Sequence, residues 1–240
     1  MRLPRLFAPG QVQLVQVKFV PLLAQRWLEE ESKQLLDRVA RWLGEQASAN
    51  RLAVHAWSLS PGQLLLLTTP PDNQSVATTV QAIGRRLAPD LKTGSVFEGR
   101  YKSALIAPDW VLAAQIWVES APQRDGYAEQ AQAWLWSSAA GHTGLGESSK
   151  PWFITVADHE SYWNCGNTPF DRQASFRIKL TAGLPELERQ RIESAVNGQW
   201  ALGSQHYLDQ IAKVANRRVA PGKRGRPAKI RKSTIDPSPI

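Results

Sequence analysis

The chain has 240 residues, 42% of them hydrophobic and 21% charged, with ten Trp. That composition excludes a chain too polar to fold and allows one sizeable core or two small ones. The net charge of +8 is uneven: Arg217 to Ile240 holds eight Lys/Arg against Asp236 alone, which leaves the preceding body near neutrality and points to a polyanionic partner for the tail.

One cysteine, Cys165, excludes an internal disulfide and fits a reducing compartment. The first ten residues, with Pro4 and Pro9, are too interrupted for a signal segment. The longest uninterrupted apolar run, Trp110 to Ala114, is far below the roughly 18 residues of a membrane span. The expectation is a cytoplasmic protein with no membrane partner.

From the N-terminus, Val12 and Leu14, then Val15, Val17 and Phe19, alternate with Gln and Lys, the period of a half-buried strand. The phase slips between Leu14 and Val15, which suggests a bulge or a strand start there. Residues 24–47 carry Trp27, Leu28, Leu35, Leu36, Val39, Trp42 and Leu43 at helical spacing, so one long amphipathic helix is predicted. Two strands follow over 51–70, joined by a tight Ser60-Pro61-Gly62 turn. His55 is expected to share a face with Trp57, and with Gln63 and Leu65 if that turn has three residues.

Pro70-Pro71-Asp72-Asn73 then breaks the chain, and Ser75 is placed to cap a helix running to about Leu87. Residues 95–106 predict another strand, and Pro108 opens a helix to about Ser120. Strand, helix, strand, strand, helix, strand is the split βαβ or ferredoxin-like order of an α+β fold, an antiparallel sheet with both helices on one face. The helix after the last strand is left free to lie across the sheet. Beyond Gly126 the pattern predicts a helical C-terminal region over 127–219. It comprises a Trp-rich helix over 127–140, a loop over 141–151, a helix over 169–181 capped by Thr168, and a helix pair over 185–196 and 204–216 with Ser204 as cap. The domain boundaries are therefore 1–126, 127–219 and a disordered basic tail over 220–240.

Three segments carry a family resemblance. The first is the hairpin, with Gln63-Leu64-Leu65-Leu66-Leu67 after its turn. The second is Val96-Phe97-Glu98-Gly99-Arg100-Tyr101-Lys102-Ser103, and the third is Ile116-Trp117-Val118-Glu119-Ser120-Ala121-Pro122-Gln123-Arg124-Asp125-Gly126. Trp136-Ser137-Ser138 and Asn197-Gly198 through Ser204 add to them in the same order. Together they resemble the REP-associated tyrosine transposases, a branch of the single-tyrosine HUH transposases.

The resemblance implies a DNA strand-transfer chemistry. In the family, two hairpin histidines and a polar helix residue hold Mg or Mn, and a helix tyrosine attacks phosphorus. The matching positions here are Gln63 and Leu65 for the histidines, Trp117 for the tyrosine and Ala121 for the polar ligand. Leu and Ala have no donor atom, and the indole of Trp has no nucleophilic oxygen. The resemblance thus implies a transposase-like DNA-binding protein without catalytic residues, metal or cofactor. It would recognise REP-type hairpins or A/T-rich duplex at a bacterial nucleoid, as a homodimer if family habit holds, with no small-molecule substrate.

Two rival readings stay open: an active enzyme with relocated residues, for which Tyr101 and Tyr127 are the candidates, and a subunit that pairs with an active relative. His55, His142, His159 and His206 lack ligand spacing and read as core or surface histidines.

For DNA contact, Lys223-Arg224-Gly225-Arg226-Pro227-Ala228-Lys229 resembles an AT-hook, with Arg226 and Pro227 shaped for a narrow minor groove and Lys223, Arg224 and Lys229 beside it. Arg85, Arg86, Arg100 and Lys102 are the candidate contacts on the body.

Overall fold

A computed structural model describes residues 4–26, 32–90, 94–145 and 154–222, so the AT-hook-like motif and the rest of the tail lie outside the described residues. In chain order the elements are β1 (Val12–Lys18), α1 (Pro21–Arg26), α2 (Ser32–Ala49), β2 (Ala53–Leu59), β3 (Gln63–Thr69), α3 (Ser75–Leu87) and β4 (Lys102–Ile106). There follow α4 (Val111–Glu119), α5 (Ala121–Arg124), α6 (Ala139–Thr143), α7 (Glu160–Trp163), α8 (Pro169–Ala182), α9 (Glu186–Gly198) and α10 (Gln205–Ile211). The strands form one antiparallel sheet in the order β2-β3-β1-β4, the α+β split βαβ topology that the pattern order predicts.

Both faces of the sheet are covered. α2 and α3 set Leu36, Val39, Leu43, Val80 and Ile83 against Val15, Val17, Trp57 and Leu66. On the other face α4 and α9 set Val111, Trp117, Val118 and Ile192 against Leu14, Leu65, Leu67 and Ala104. This removes the suspected bulge in β1, whose register with β3 and β4 is unbroken from Val12 to Lys18. Its apparent phase slip reflects burial on two sides, Leu14 facing one core and Val15 the other.

The hairpin is tighter than three residues. Ser60 and Gln63 exchange both backbone hydrogen bonds, so the loop is Pro61-Gly62 and Leu59 pairs with Leu64. That register sends Trp57 to the opposite face from Leu65. The real bulge lies between Val54 and Ala56, and it turns His55 toward the Thr69 hydroxyl at 2.8 Å and the Ala157 carbonyl at 2.6 Å.

Other boundaries move for local reasons. The helix predicted over 24–47 is α1 and α2, with residues 27–31 outside the described residues. The cap of α3 is Asp72, whose Oδ1 accepts from the amides of Gln74 and Ser75, so Ser75 is capped rather than capping. The strand predicted over 95–106 shortens to β4 because Gly99 turns the backbone at φ 86°, leaving Phe97 as a single bridge to Phe19. Residues 127–140 are mostly irregular: the indole of Trp134 donates to the Leu59 carbonyl and that of Trp136 to Asp37, so both rings are held by partners outside a helix. Thr168 and Ser204 cap α8 and α10 as predicted, and α10 ends at Ile211, short of the predicted 216.

Both outer edges of the sheet are covered by irregular chain. Beside β2, Leu59 and Ser138 donate their amides to the Trp136 and Trp57 carbonyls, and Ala157 donates to Val54. Beside β4, Ala107 donates to Leu202 and Leu202 to Leu105.

A buried ionic knot ties α4 to the following region. Glu119 is 0% exposed; its Oε1 accepts from Ser138 Oγ at 2.5 Å and from His142 Nδ1 at 2.5 Å. Ser138 Oγ in turn accepts the Trp57 amide on β2 at 3.0 Å. Burial by itself opposes a charged His142 ring, but Glu119 and Asp158 outweigh it and hold the imidazole pKa up at about 9. A pKa raised on folding gives stability that is full below the ordinary value of 6.5 and is lost as pH rises through about 9. The urea midpoint is therefore expected to fall between those two values in the natural chain and not in Glu119→Gln. A midpoint flat across that window would rule out the charged pair.

Candidate functional site

The two-residue turn and the β3 register set Gln63 and Leu65 two residues apart on the face that α4 covers. α4 lies over them with Trp117, and Ala121 opens α5 one helical turn later. Leu65, Trp117 and Ala121 belong to one apolar cluster and are 0%, 4% and 1% exposed. The four positions singled out by resemblance thus converge in space from three separate parts of the chain. Three of them are sealed beneath the surface, and Gln63 alone is partly exposed.

Above this cluster opens a cavity of about 480 Å³. The Gln63 amide spans its floor, donating from Nε2 to Asp125 Oδ2 and accepting from Gln16 Nε2, each at 2.8 Å. Arg124 lies 4.8 Å from the Trp117 ring and donates to the Trp117 carbonyl and the Ser120 hydroxyl. Trp117 Nε1 lines no hydrogen bond among the described residues, a buried donor without an acceptor. Lys18 and Arg124 are offset by Glu98, Asp125 and Glu193 around the same cavity, so its wall carries no strong excess of either sign. Asn197 on α9 closes one side and accepts from Lys102 Nζ at 2.7 Å.

The donor set does not fit a divalent ion. Leu65 and Ala121 present hydrocarbon, Trp117 presents an N–H, and the Gln63 carbonyl oxygen already accepts from Gln16. Among the described residues no group of three or more His, Cys, Asp or Glu lies close enough to hold a metal.

The relocated-nucleophile candidates are poorly set for attack. Tyr101 is buried with Arg5 3.4 Å over its ring, and burial raises its phenol pKa. Tyr127 packs beside Trp134, and burial together with Asp125 raises its pKa also. Both shifts disfavour phenolate.

The four body cations do not form one patch. Arg85 and Arg86 lie on α3, where Arg86 is held by Glu45 at 2.6 Å, whereas Lys102 reaches toward α9 on the opposite face of the sheet. Arg100 precedes β4 rather than lying on it.

Two features escaped the sequence patterns. One is the amide and carboxylate floor formed by Gln16, Gln63 and Asp125; the other is the pairing of His142 with Glu119. The only signal for the second was an acid, Glu119, ending the otherwise apolar run Ile116-Trp117-Val118. His55 and His159 lie with ring centroids 5.2 Å apart, and His206 bonds Gln210 on exposed α10.

No protein-family model and no curated protein matches this chain. A solved structure of a REP-associated tyrosine transposase bound to a REP hairpin is similar over 67% of this chain and 96% of that one, at 16% identity and a TM-score of 0.48.

The packing sets an asymmetry between the two hairpin positions. Leu65→His places an imidazole in a closed apolar cluster and is expected to cost about 2 kcal/mol or more of folding stability. Gln63→His, at the cavity edge, should change it by no more than about 0.5 kcal/mol. Urea denaturation of the two single variants measures both; equal losses would contradict the burial described for Leu65.

Proposed function

We propose that this chain is a DNA-binding protein built on a transposase-like scaffold that engages chromosomal DNA, REP-type hairpin or A/T-rich duplex, without cutting it by the family mechanism. The observation that carries the reading is the convergence of Gln63, Leu65, Trp117 and Ala121 around one cavity, three of them packed as apolar core. Convergence supports the motif alignment, since unrelated positions have no reason to meet. Their chemistry supports the loss of cleavage, because neither a cation ligand nor an attacking oxygen is offered there.

In this reading the tail is the electrostatic anchor. Lys223, Arg224 and Lys229 neutralise phosphates while Arg226 and Pro227 follow a narrow minor groove. The cavity is a recognition surface rather than a phosphate clamp, because its opposed charges cancel while the Gln16 and Gln63 amides and the Trp117 N–H remain as hydrogen-bonding groups. No divalent ion takes part.

Two measurements test the reading. Incubating the protein with REP-like hairpin and single-stranded DNA in Mg²⁺ or Mn²⁺ is expected to give a gel-shifted complex with neither nicked product nor covalent adduct. Either product would overturn it. The salt dependence of duplex binding should be steep, near −0.9 in log–log slope per phosphate neutralised. Truncation after Gly222 should flatten it while sparing the fold, since Val219 packs into a core with Leu6 and Tyr207 and the cut leaves it in place. An unchanged slope would move binding from the tail to the body.

A further inference from the structure

A second cavity, of about 220 Å³, lies away from the first and is walled by α6, α7, α8 and the chain before α7. Its floor is His142, 4% exposed. The Nδ1 of this ring is occupied by Glu119, but Nε2 lines the cavity with no hydrogen-bond partner among the described residues. Asp158 Oδ1 stands 3.3 Å from that nitrogen as an ion pair and is partly open to solvent. Arg172 and Gln173 of α8 complete the polar rim, and Val156 and Pro169 supply apolar surface. An adjoining apolar cavity of about 250 Å³, lined by Trp57 and Ile154, shares Ser138, Gly141 and Val156 with it.

The fixed charges narrow what this site can take. Glu119 is matched by His142 and Asp158 by Arg172, so an anion meets two carboxylates and a cation meets a guanidinium and an imidazolium. A metal ion would find its nitrogen protonated and Asp158 as its one carboxylate on the wall. What fits is an uncharged molecule with donors and acceptors along one edge and apolar faces, able to accept from His142 Nε2–H and Arg172 and to donate to Asp158 or the Gln173 carbonyl.

We propose that the His142–Asp158–Gln173 cavity binds a neutral planar heterocycle of the nucleobase type by its hydrogen-bonding edge. The site stands apart from the cavity over Leu65 and does not depend on the DNA reading. A free nucleoside and a base extruded from a strand carry the same edge, and each can supply it.

The test uses the full chain with isotope-labelled histidine, following the His142 ring N–H by NMR as adenosine, guanosine, cytidine or thymidine is added. Inorganic phosphate and acetate are titrated separately. At least one nucleoside is expected to move the His142 resonance saturably, and the anions are not. Asp158→Asn and Gln173→Leu, both at positions only partly buried, should weaken that binding about tenfold each, the loss of one enclosed hydrogen bond. They avoid the folding risk of changing His142 itself. A hairpin carrying 2-aminopurine separates the sources: a fluorescence rise lost in Gln173→Leu assigns an extruded base, and saturation by nucleoside without that rise assigns a free ligand. An unmoved His142 at millimolar nucleoside, a response to phosphate or acetate instead, or binding indifferent to both variants would overturn the proposal. Because the readout is nucleoside binding, its failure leaves the gel-shift result for DNA untouched.

Discussion

A carboxylate with no access to water governs how this molecule is put together. Glu119 ends α4, where the helix's own carbonyls already concentrate negative potential, so its charge is unfavourable twice over. It is tolerated because an imidazolium and a hydroxyl converge on one of its oxygens. That convergence fixes α4 against β2, because the same Ser138 hydroxyl receives the Trp57 amide. The helix orientation that follows is what lays Trp117 over Leu65 and sets Ala121 behind them. The apolar contents of the first cavity's floor and the charged floor of the second are two faces of one packing decision.

The order of elements was readable because each of the six core segments carries a period of its own, and the sheet order follows from that sequence of periods. What misled were places where tertiary burial overrode the local pattern. Val12 through Val17 looked out of phase because a central strand sandwiched by two helix layers is apolar on both sides. The Trp-rich stretch near 134–136 looked helical because indoles at short spacing resemble a packed helix face. Its rings instead find acceptors on a strand end and on α2, which releases the backbone from helical hydrogen bonding. The register of the hairpin turned on a single residue in the loop, a distinction that Ser60-Pro61-Gly62 does not announce.

The candidate site was legible as chemistry and not as geometry. Reading Gln63, Leu65, Trp117 and Ala121 as replacements required only residue types and spacing. That Gln16, from a strand more than forty residues earlier, would lock the Gln63 amide through a 2.8 Å hydrogen bond could not be seen before the strands were paired. The His142 cavity was still less visible, because its parts come from four short segments, each of which is unremarkable alone.

The covered edges of the sheet limit how copies of this chain can meet. A strand with free backbone amides is an invitation to the next molecule, and open sheets commonly associate by lengthening. Here β2 is shielded by the chain around Trp136 and Ala157 and β4 by the turn at Leu202. Growth of the sheet from molecule to molecule would first require peeling those segments away. Self-association through these described parts must therefore be a matter of side chains on helices, specific and finite, rather than of backbone templating that has no natural stopping point.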